Sequence, residues 1–469
     1  MLFEGIIGII SFAICLFMLL GSVVLSIKTR FIQFRAIPKM IKIIFEPKKN
    51  NSCDNTISMK KALLTAMSSS IGIGNIVSPI IAIKLGGPGA LVGFILATIF
   101  GAAATFTEVT FALKNRNRKK DGSINGGAMP YIKKAIGEKW AKLYAGSALI
   151  VLTVWASNQA NALADLLQAH SIPNYLTGIV LAISVVYILL GGVKRVGEIS
   201  AKLVPVMLVL YLSAISWIVF NNFGGIGAAL SLIFKSAFTP KAIFGAGTGY
   251  GIHSALRWGL AKGYFSNISG LGMSTIPHSM SATNNPVNQG IISMAAVYTN
   301  GIICFLTGLA VLLTQGSVDA NSGIGINVLA KIFTNYFSSI GMIIIAFSAF
   351  LFAFGTIIGE GFMGSQCFIY NFNKKKLKYY NIAMAAFIFL GSISDVKFLA
   401  QITDLFLLPL ALPNIISIII LAFKEEKEIN INLNTQEKFI PATEVKVLNE
   451  IAYGIPLTIK SDKTLNADV

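Results

Sequence analysis

The stretch SSSIGIGNIVSP, Ser68 to Pro79, places two glycines, an asparagine and a proline inside a long apolar run. The chemistry it offers is that of the main chain. Backbone N–H and C=O groups cannot be left unpaired in hydrocarbon, and irregular backbone is tolerated there only against protein or a watery cavity. Gly72 and Gly74 permit an unwound turn, and Pro79 fits the opening turn of a following half-helix, where its missing donor is not needed. The half-helix before the break ends in free carbonyls; the one after it begins with free N–H groups at a positive dipole end. One end suits a small cation and the other a carboxylate, so an amino acid with Na+ would use both. A plainer reading is a glycine-rich helix packed closely on a neighbour. The stretch FGAGTGYGIHS, Phe244 to Ser254, with Gly245, Gly247, Gly249 and Gly251, has the same character.

Such breaks need long apolar helices around them. The chain of 469 residues is 54% hydrophobic and only 12% charged, with a mean hydropathy of +0.71; a soluble protein carries about 25% charged residues. Eleven apolar segments are expected near 4–27, 59–84, 90–112, 143–169, 175–190, 201–220, 242–262, 289–315, 339–370, 379–395 and 398–423. The net charge of +18 is not a nucleic-acid signature, because the Lys and Arg residues gather on alternate loops, at 28–58, 113–142, 191–202 and 374–378. That bias puts the N-terminus outside and the C-terminus in the cytoplasm. The first segment carries Glu4 ahead of its apolar core and reads as a retained span rather than a signal peptide. Four cysteines and three histidines show no disulfide or metal spacing.

The fold class is therefore an all-α membrane protein with eleven transmembrane helices. The two interrupted helices, the second and seventh, lie five spans apart, and five is odd. Equivalent helices of two five-span units then run in opposite directions, the five-plus-five inverted repeat of transporters with the site between the breaks. The expected organisation is an extra N-terminal helix (1–27), a basic cytoplasmic loop (28–58), the first repeat (59–220), the second repeat with its preceding outer loop (221–423) and a polar cytoplasmic tail (424–469).

Several motifs resemble the alanine or glycine:cation symporter family, the sodium:alanine symporters. They are GIGNI with AIKLGGPGA, DGSINGGAMPYI, GGVKRVGEISAKLVPVM and GYFSNISGLGMSTIPHSMSATNNPVNQG, in order from about Ser58 to Lys376. The resemblance implies a leucine-transporter-type fold working by alternating access, with uptake of alanine or glycine driven by Na+ and no organic cofactor. It implies that the N–H groups of Ile73 and Gly74, with Asn75, hold the substrate carboxylate and that Gln159 faces the substrate; a site between the two breaks adds Gly247 and Gly249 as substrate-binding candidates. The Na+ ligands it implies are the carbonyls of Ser68 and Ile71 and the hydroxyl of Thr356. The chain departs from the family pattern at Ile73, Ile268, Asn300, Gly355 and Glu360.

The departures at Ile73, Gly355 and Glu360 keep open a proton-coupled or cation-independent amino-acid transporter, and the long polar tail permits a binding-only sensor derived from a transporter. An enzyme is not indicated, since no H-E-x-x-H and no nucleophile with a base at useful spacing occur. Asn158, Asn161 and Asp165 form one stripe of the fourth span, with Gln159 about 100° around from Asn158; Trp155 precedes Gln159 by one turn. Glu108 reads as a helix-end carboxylate paired with a basic neighbour. Glu360 reads as a solvated helix end, or else as a cation or proton ligand one turn beyond Thr356. His278 reads as structural. The expected setting is a bacterial plasma membrane, with a small neutral amino acid, Na+ and lipid as partners.

Overall fold

Apolar runs in lipid satisfy their backbone internally only as helices, and the computed structural model is helical in almost every element. It describes residues 2–46, 56–118, 124–168, 171–238, 252–314, 325–394 and 397–429. Helix α1 spans Leu2–Lys28 and is followed by two short helices, α2 (Ile32–Arg35) and α3 (Ile37–Phe45). The first interrupted element is the pair α4 (Met59–Ser70) and α5 (Ile73–Gly86), bent by 45°. Then come α6 (Ala90–Lys114), α7 (Ala128–Ile136), α8 (Glu138–Gln168), α9 (Asn174–Leu189), α10 (Gly192–Asn221) and α11 (Ile226–Phe238). The rest are α12 (Ile252–Asn267), α13 (Thr275–Ser279), α14 (Pro286–Leu313), α15 (Ile326–Asn371), α16 (Leu377–Ile393) and α17 (Lys397–Lys424).

Among the described residues, seven helices are long and apolar enough to cross a membrane, and the bent pair makes an eighth. Helices α9, α12 and α16, at the fifth, seventh and tenth predicted segments, are shorter, with 16, 16 and 17 described residues.

Four features differ from the sequence expectation. Helix α15 runs straight through the predicted start at 339, but Ser338 (φ 52°, ψ −138°) breaks it there, so a further short helix precedes the span. Helix α11 lies in what reads as an outer loop, behind a run of glycines. The basic loops hold α2, α3 and α7 rather than bare chain. Finally, the tail does not leave the bundle at Lys424. Glu425 pairs with Lys114 (2.8 Å) and Lys134 (2.5 Å), Glu428 with Lys114 (2.7 Å), and Glu426 with Lys28 (3.2 Å). Burial raises the Glu425 carboxyl, but the Lys114 and Lys134 hydrogen bonds outweigh it and hold it below the ordinary carboxylate range.

The broken pair is central. Half-helix α4 packs on α10, α14 and α15; half-helix α5 packs on α12 and α14. Small residues permit the close crossings: a Cβ on Gly93 of α6 would stand 2.6 Å from the Gly259 carbonyl carbon of α12.

Candidate binding site at the broken helix

Ile71 (φ −102°, ψ 91°) and Gly72 (φ −121°, ψ −174°) are extended, so the ladder stops at Ser70 and restarts at Ile73. Side chains from elsewhere fasten the loose ends. Asn75 reaches back one turn and accepts the Gly72 N–H at 3.0 Å, while its Nδ2 donates to the Ser266 carbonyl of α12 at 3.2 Å. Ile73 N–H donates to Gln159 Oε1 of α8 at 3.0 Å. The Gly74 N–H belongs to the first turn of α5 and has no helix partner, and Gly74 is exposed to the cavity beside it.

Pro79 is not in the opening turn of the half-helix. It stands at the seventh residue of α5, where it deprives the carbonyl four residues back of its donor. That carbonyl belongs to Asn75, and the Cys304 Sγ of α14 supplies the missing hydrogen bond at 3.3 Å.

At the other lip, Thr356 Oγ1 of α15 lies 3.2 Å from the Ser68 carbonyl and 3.0 Å from the Ile71 carbonyl. The three oxygens expected to hold a cation are thus brought together. Hard cations favour such neutral oxygens from open backbone and hydroxyls. Ser68 Oγ also donates to the Gly355 carbonyl at 2.9 Å, which ties α4 to α15. Gly72 must lack a side chain, because a Cβ there would stand 2.6 Å from Gln159 Nε2 and 2.7 Å from Thr356 Oγ1.

Beside the break is a cavity of about 300 Å³, which Ser68, Ile71 and Ile73, all buried, do not line. Gly72, Gly74, Asn75, Gln159 and Thr356 line it, with Trp155 and Asn158 from α8. Sequence reasoning missed Phe265 and Ser266 of α12 and Thr403 of α17 as lining residues; nothing local marks them. Ile73 is buried and its contribution is the main-chain N–H alone. Asn75 is also buried, with both ends of its amide engaged by protein. Gly247 and Gly249 lie outside the described residues.

Two carboxylates differ from expectation. Among the described residues the partners of Glu108 are not basic: its Oε1 accepts from Gly272 N–H (3.1 Å) and Asn414 Nδ2 (2.5 Å). Glu360 is not a solvated helix end but is 2% exposed and lines the cavity. His278, in a loop helix, is buried; its Nδ1 meets Gln289 Nε2 at 2.6 Å, and burial pushes the imidazole down to about 3.

A helical membrane protein with an interrupted span whose free ends face a cavity is of the secondary-transporter class. The comparisons agree. The sequence profile of the sodium:alanine symporter family matches residues 3–440, and the chain belongs to that family. It is 35% identical over 401 residues to an uncharacterized transporter of Haemophilus influenzae, covering 84% of this chain and 87% of that one. With the sodium/alanine symporter AgcS of Methanococcus maripaludis it shares 31% identity over 420 residues, 87% of this chain and 91% of the other. The crystal structure of MhsT in complex with L-phenylalanine superposes with a TM-score of 0.57 at 18% identity, covering 82% of this chain and 94% of MhsT. The fold is therefore of the leucine-transporter type, and the protein is a membrane symporter rather than an enzyme.

Proposed function

We propose that the protein imports a small neutral amino acid, alanine or glycine, coupled to Na+ by alternating access. The observation that carries this reading is the junction at Ile71–Gly72. There a half-helix ending in carbonyls and a half-helix beginning in N–H groups open on one cavity, with Thr356 Oγ1 3.0 Å and 3.2 Å from the carbonyls. The substrate carboxylate binds the N–H groups of Gly74 and Ile73, helped by the dipole of α5. Because Gln159 Oε1 holds the Ile73 N–H at 3.0 Å, the carboxylate displaces Gln159, which then turns its amide to the substrate. Asn75 serves by keeping the break open rather than by touching the carboxylate. Na+ sits among the Ser68 carbonyl, the Ile71 carbonyl and the Thr356 hydroxyl, and Gly247 and Gly249 complete the site from the seventh span. A cavity of about 300 Å³ leaves room for a small zwitterion and its cation, and the relative named as a sodium/alanine symporter supports the pair.

The architecture that goes with this function has eleven spans, one N-terminal helix outside a five-plus-five inverted repeat, with the N-terminus outside and the C-terminus in the cytoplasm. The domain bounds are 1–27, 28–58, 59–220, 221–423 and 424–469. The buried Glu360 in the cavity favours a second reading, proton coupling. Labelled-alanine uptake into proteoliposomes, under a Na+ gradient and then under a pH gradient alone, separates the two. Uptake under Na+ only is expected; uptake under the pH gradient alone contradicts Na+ coupling, and tight binding without flux under either gradient would make the protein a sensor.

A further inference from the structure

Glu360 lines the cavity together with Ser69, Ser70 and Thr356. Its side chain is 2% exposed, and its Oε2 is buried with no hydrogen-bond partner. It follows Thr356 by four residues on α15, which places it one turn along on nearly the same face. Two glycines bring this stretch against the end of α4. A Cβ on Gly355 would stand 2.9 Å from Ser68 Oγ, and one on Gly359 would stand 2.7 Å from Ser69 Cα. The carboxyl is therefore carried to the C-terminal end of a half-helix, where the dipole and the free carbonyls already favour a cation.

Two shortages meet here. The three oxygens gathered at the cation position, from Ser68, Ile71 and Thr356, are all neutral. A Na+ among them brings a whole charge into a low-dielectric site. A carboxylate buried with an unbonded oxygen bears the converse cost. Together the two make a neutral pair. We propose that the Glu360 carboxylate is the counter-charge of the coupling cation, so that Na+ occupies a site bounded by Ser68, Ile71, Thr356 and Glu360. This rests on the Na+-coupled reading above. Lys262 of α12 lines the same cavity, and its ammonium opposes a second cation there. Tyr380 of α16 donates to the carbonyl of neighbouring Gly361 at 3.0 Å and leaves the carboxyl to the cavity.

The test is the melting temperature of the full-length protein in detergent, titrated with NaCl against choline chloride at constant ionic strength, at pH 6 and pH 8. Na+ should stabilise the wild type with a definite half-maximal concentration. In Glu360→Gln that concentration should rise at least tenfold, with the melting temperature in choline unchanged or higher. Glu360→Asp should raise it about threefold, which keeps the proposal open to refutation if the glutamine variant does not fold. Lys262→Met should lower it. The proposal is overturned if either Glu360 variant titrates with Na+ like the wild type, or if Glu360→Gln changes only the pH dependence. It is equally overturned if Lys262→Met weakens Na+ as Glu360→Gln does, since the carboxylate then serves the lysine. A wild type that does not respond to Na+ at all removes both this proposal and the Na+-coupled reading.

Discussion

Glu108 and Glu360 are both carboxyls on membrane helices, 0% and 2% exposed, each with an Oε2 that is buried without a hydrogen-bond partner, yet the rest of their surroundings differs. Around Glu108 the protein has built acceptor geometry. Gly270 and Gly272 adopt φ of 76° and 71°, a left-handed region that favours glycine, and Gly272 N–H donates to Oε1 at 3.1 Å. Asn414 of α17 donates to the same oxygen at 2.5 Å and to the Gly270 carbonyl at 2.8 Å, and Tyr131 of α7 donates to Asn414. The carboxyl fastens the 270–272 loop between α6, α7 and α17. Among the described residues no hydrogen bond holds Glu360 Oε2, and the residue lines the cavity. A buried membrane carboxylate is thus read from what donates to it, not from its depth: one is a structural clasp, the other lines the cavity at the broken helix.

The contrast can be broken at several points. The largest effect is expected at the break itself. Gly72→Val drives a side chain into Gln159 and Thr356, both within 3 Å of the new Cβ, and should cut alanine uptake to background while the protein still inserts. Gly74→Leu, which fills the cavity rather than clashing, should do the same. Normal uptake by either variant in proteoliposomes refutes the site.

Next is the clasp. Glu108→Ala leaves the Gly272 N–H and the Asn414 amide buried without their acceptor, a cost of about 2–5 kcal/mol. The melting temperature should fall steeply while the folded fraction keeps its Na+ half-saturation; a shifted Na+ titration would erase the distinction from Glu360. Thr356→Ala removes one of the three oxygens proposed to hold the cation and should raise the Na+ concentration for half-maximal uptake several-fold.

Two smaller effects concern a loop helix and the residues just after α17. His278 is held neutral by burial, its imidazole pushed from 6.5 to about 3. The unfolded chain then binds more protons between those values. Its contribution to stability is full above pH 6.5 and is lost as pH falls, by at most about 1.4 kcal/mol per pH unit. Melting curves at pH 5 and 7.5 should differ, and His278→Gln should flatten the difference. Glu425→Gln weakens partly exposed ion pairs to Lys114 and Lys134 and should cost under about 1 kcal/mol, less in high salt. Because the Glu425 carboxyl lies below its ordinary value, its contribution is present at neutral pH and fades only in acid.

What the sequence made legible was what is local. Gly72, Gly74 and Asn75, set together in an apolar run, mark the break that the structure shows, and Thr356 meets Ser68 and Ile71 as the resemblance implies. What stayed hidden depends on distant residues. Pro79 sits deeper in its helix than its position near the break suggested, since the carbonyl it orphans is rescued by Cys304, 229 positions away. The partners of Glu108, Gly272 and Asn414, lie 164 and 306 positions away, so a basic neighbour was the natural but mistaken expectation. Ser338 breaks α15 at the predicted start of the ninth segment, but the helix before it, from Ile326, carries Lys331, Thr334 and Asn335 and so does not read as part of a span. The ion pairs that hold Glu425, Glu426 and Glu428 join the far end of the chain to α1, α6 and α7, which charge counting along the tail could not reveal.

The most direct measurement is a structure of the full-length protein determined with L-alanine and NaCl. The account predicts the alanine carboxylate within hydrogen-bonding distance of the Gly74 N–H, Gln159 moved off the Ile73 N–H, and a cation among Ser68, Ile71 and Thr356. Alanine bound elsewhere, or residues 59–86 wound as one unbroken helix around it, would contradict the account.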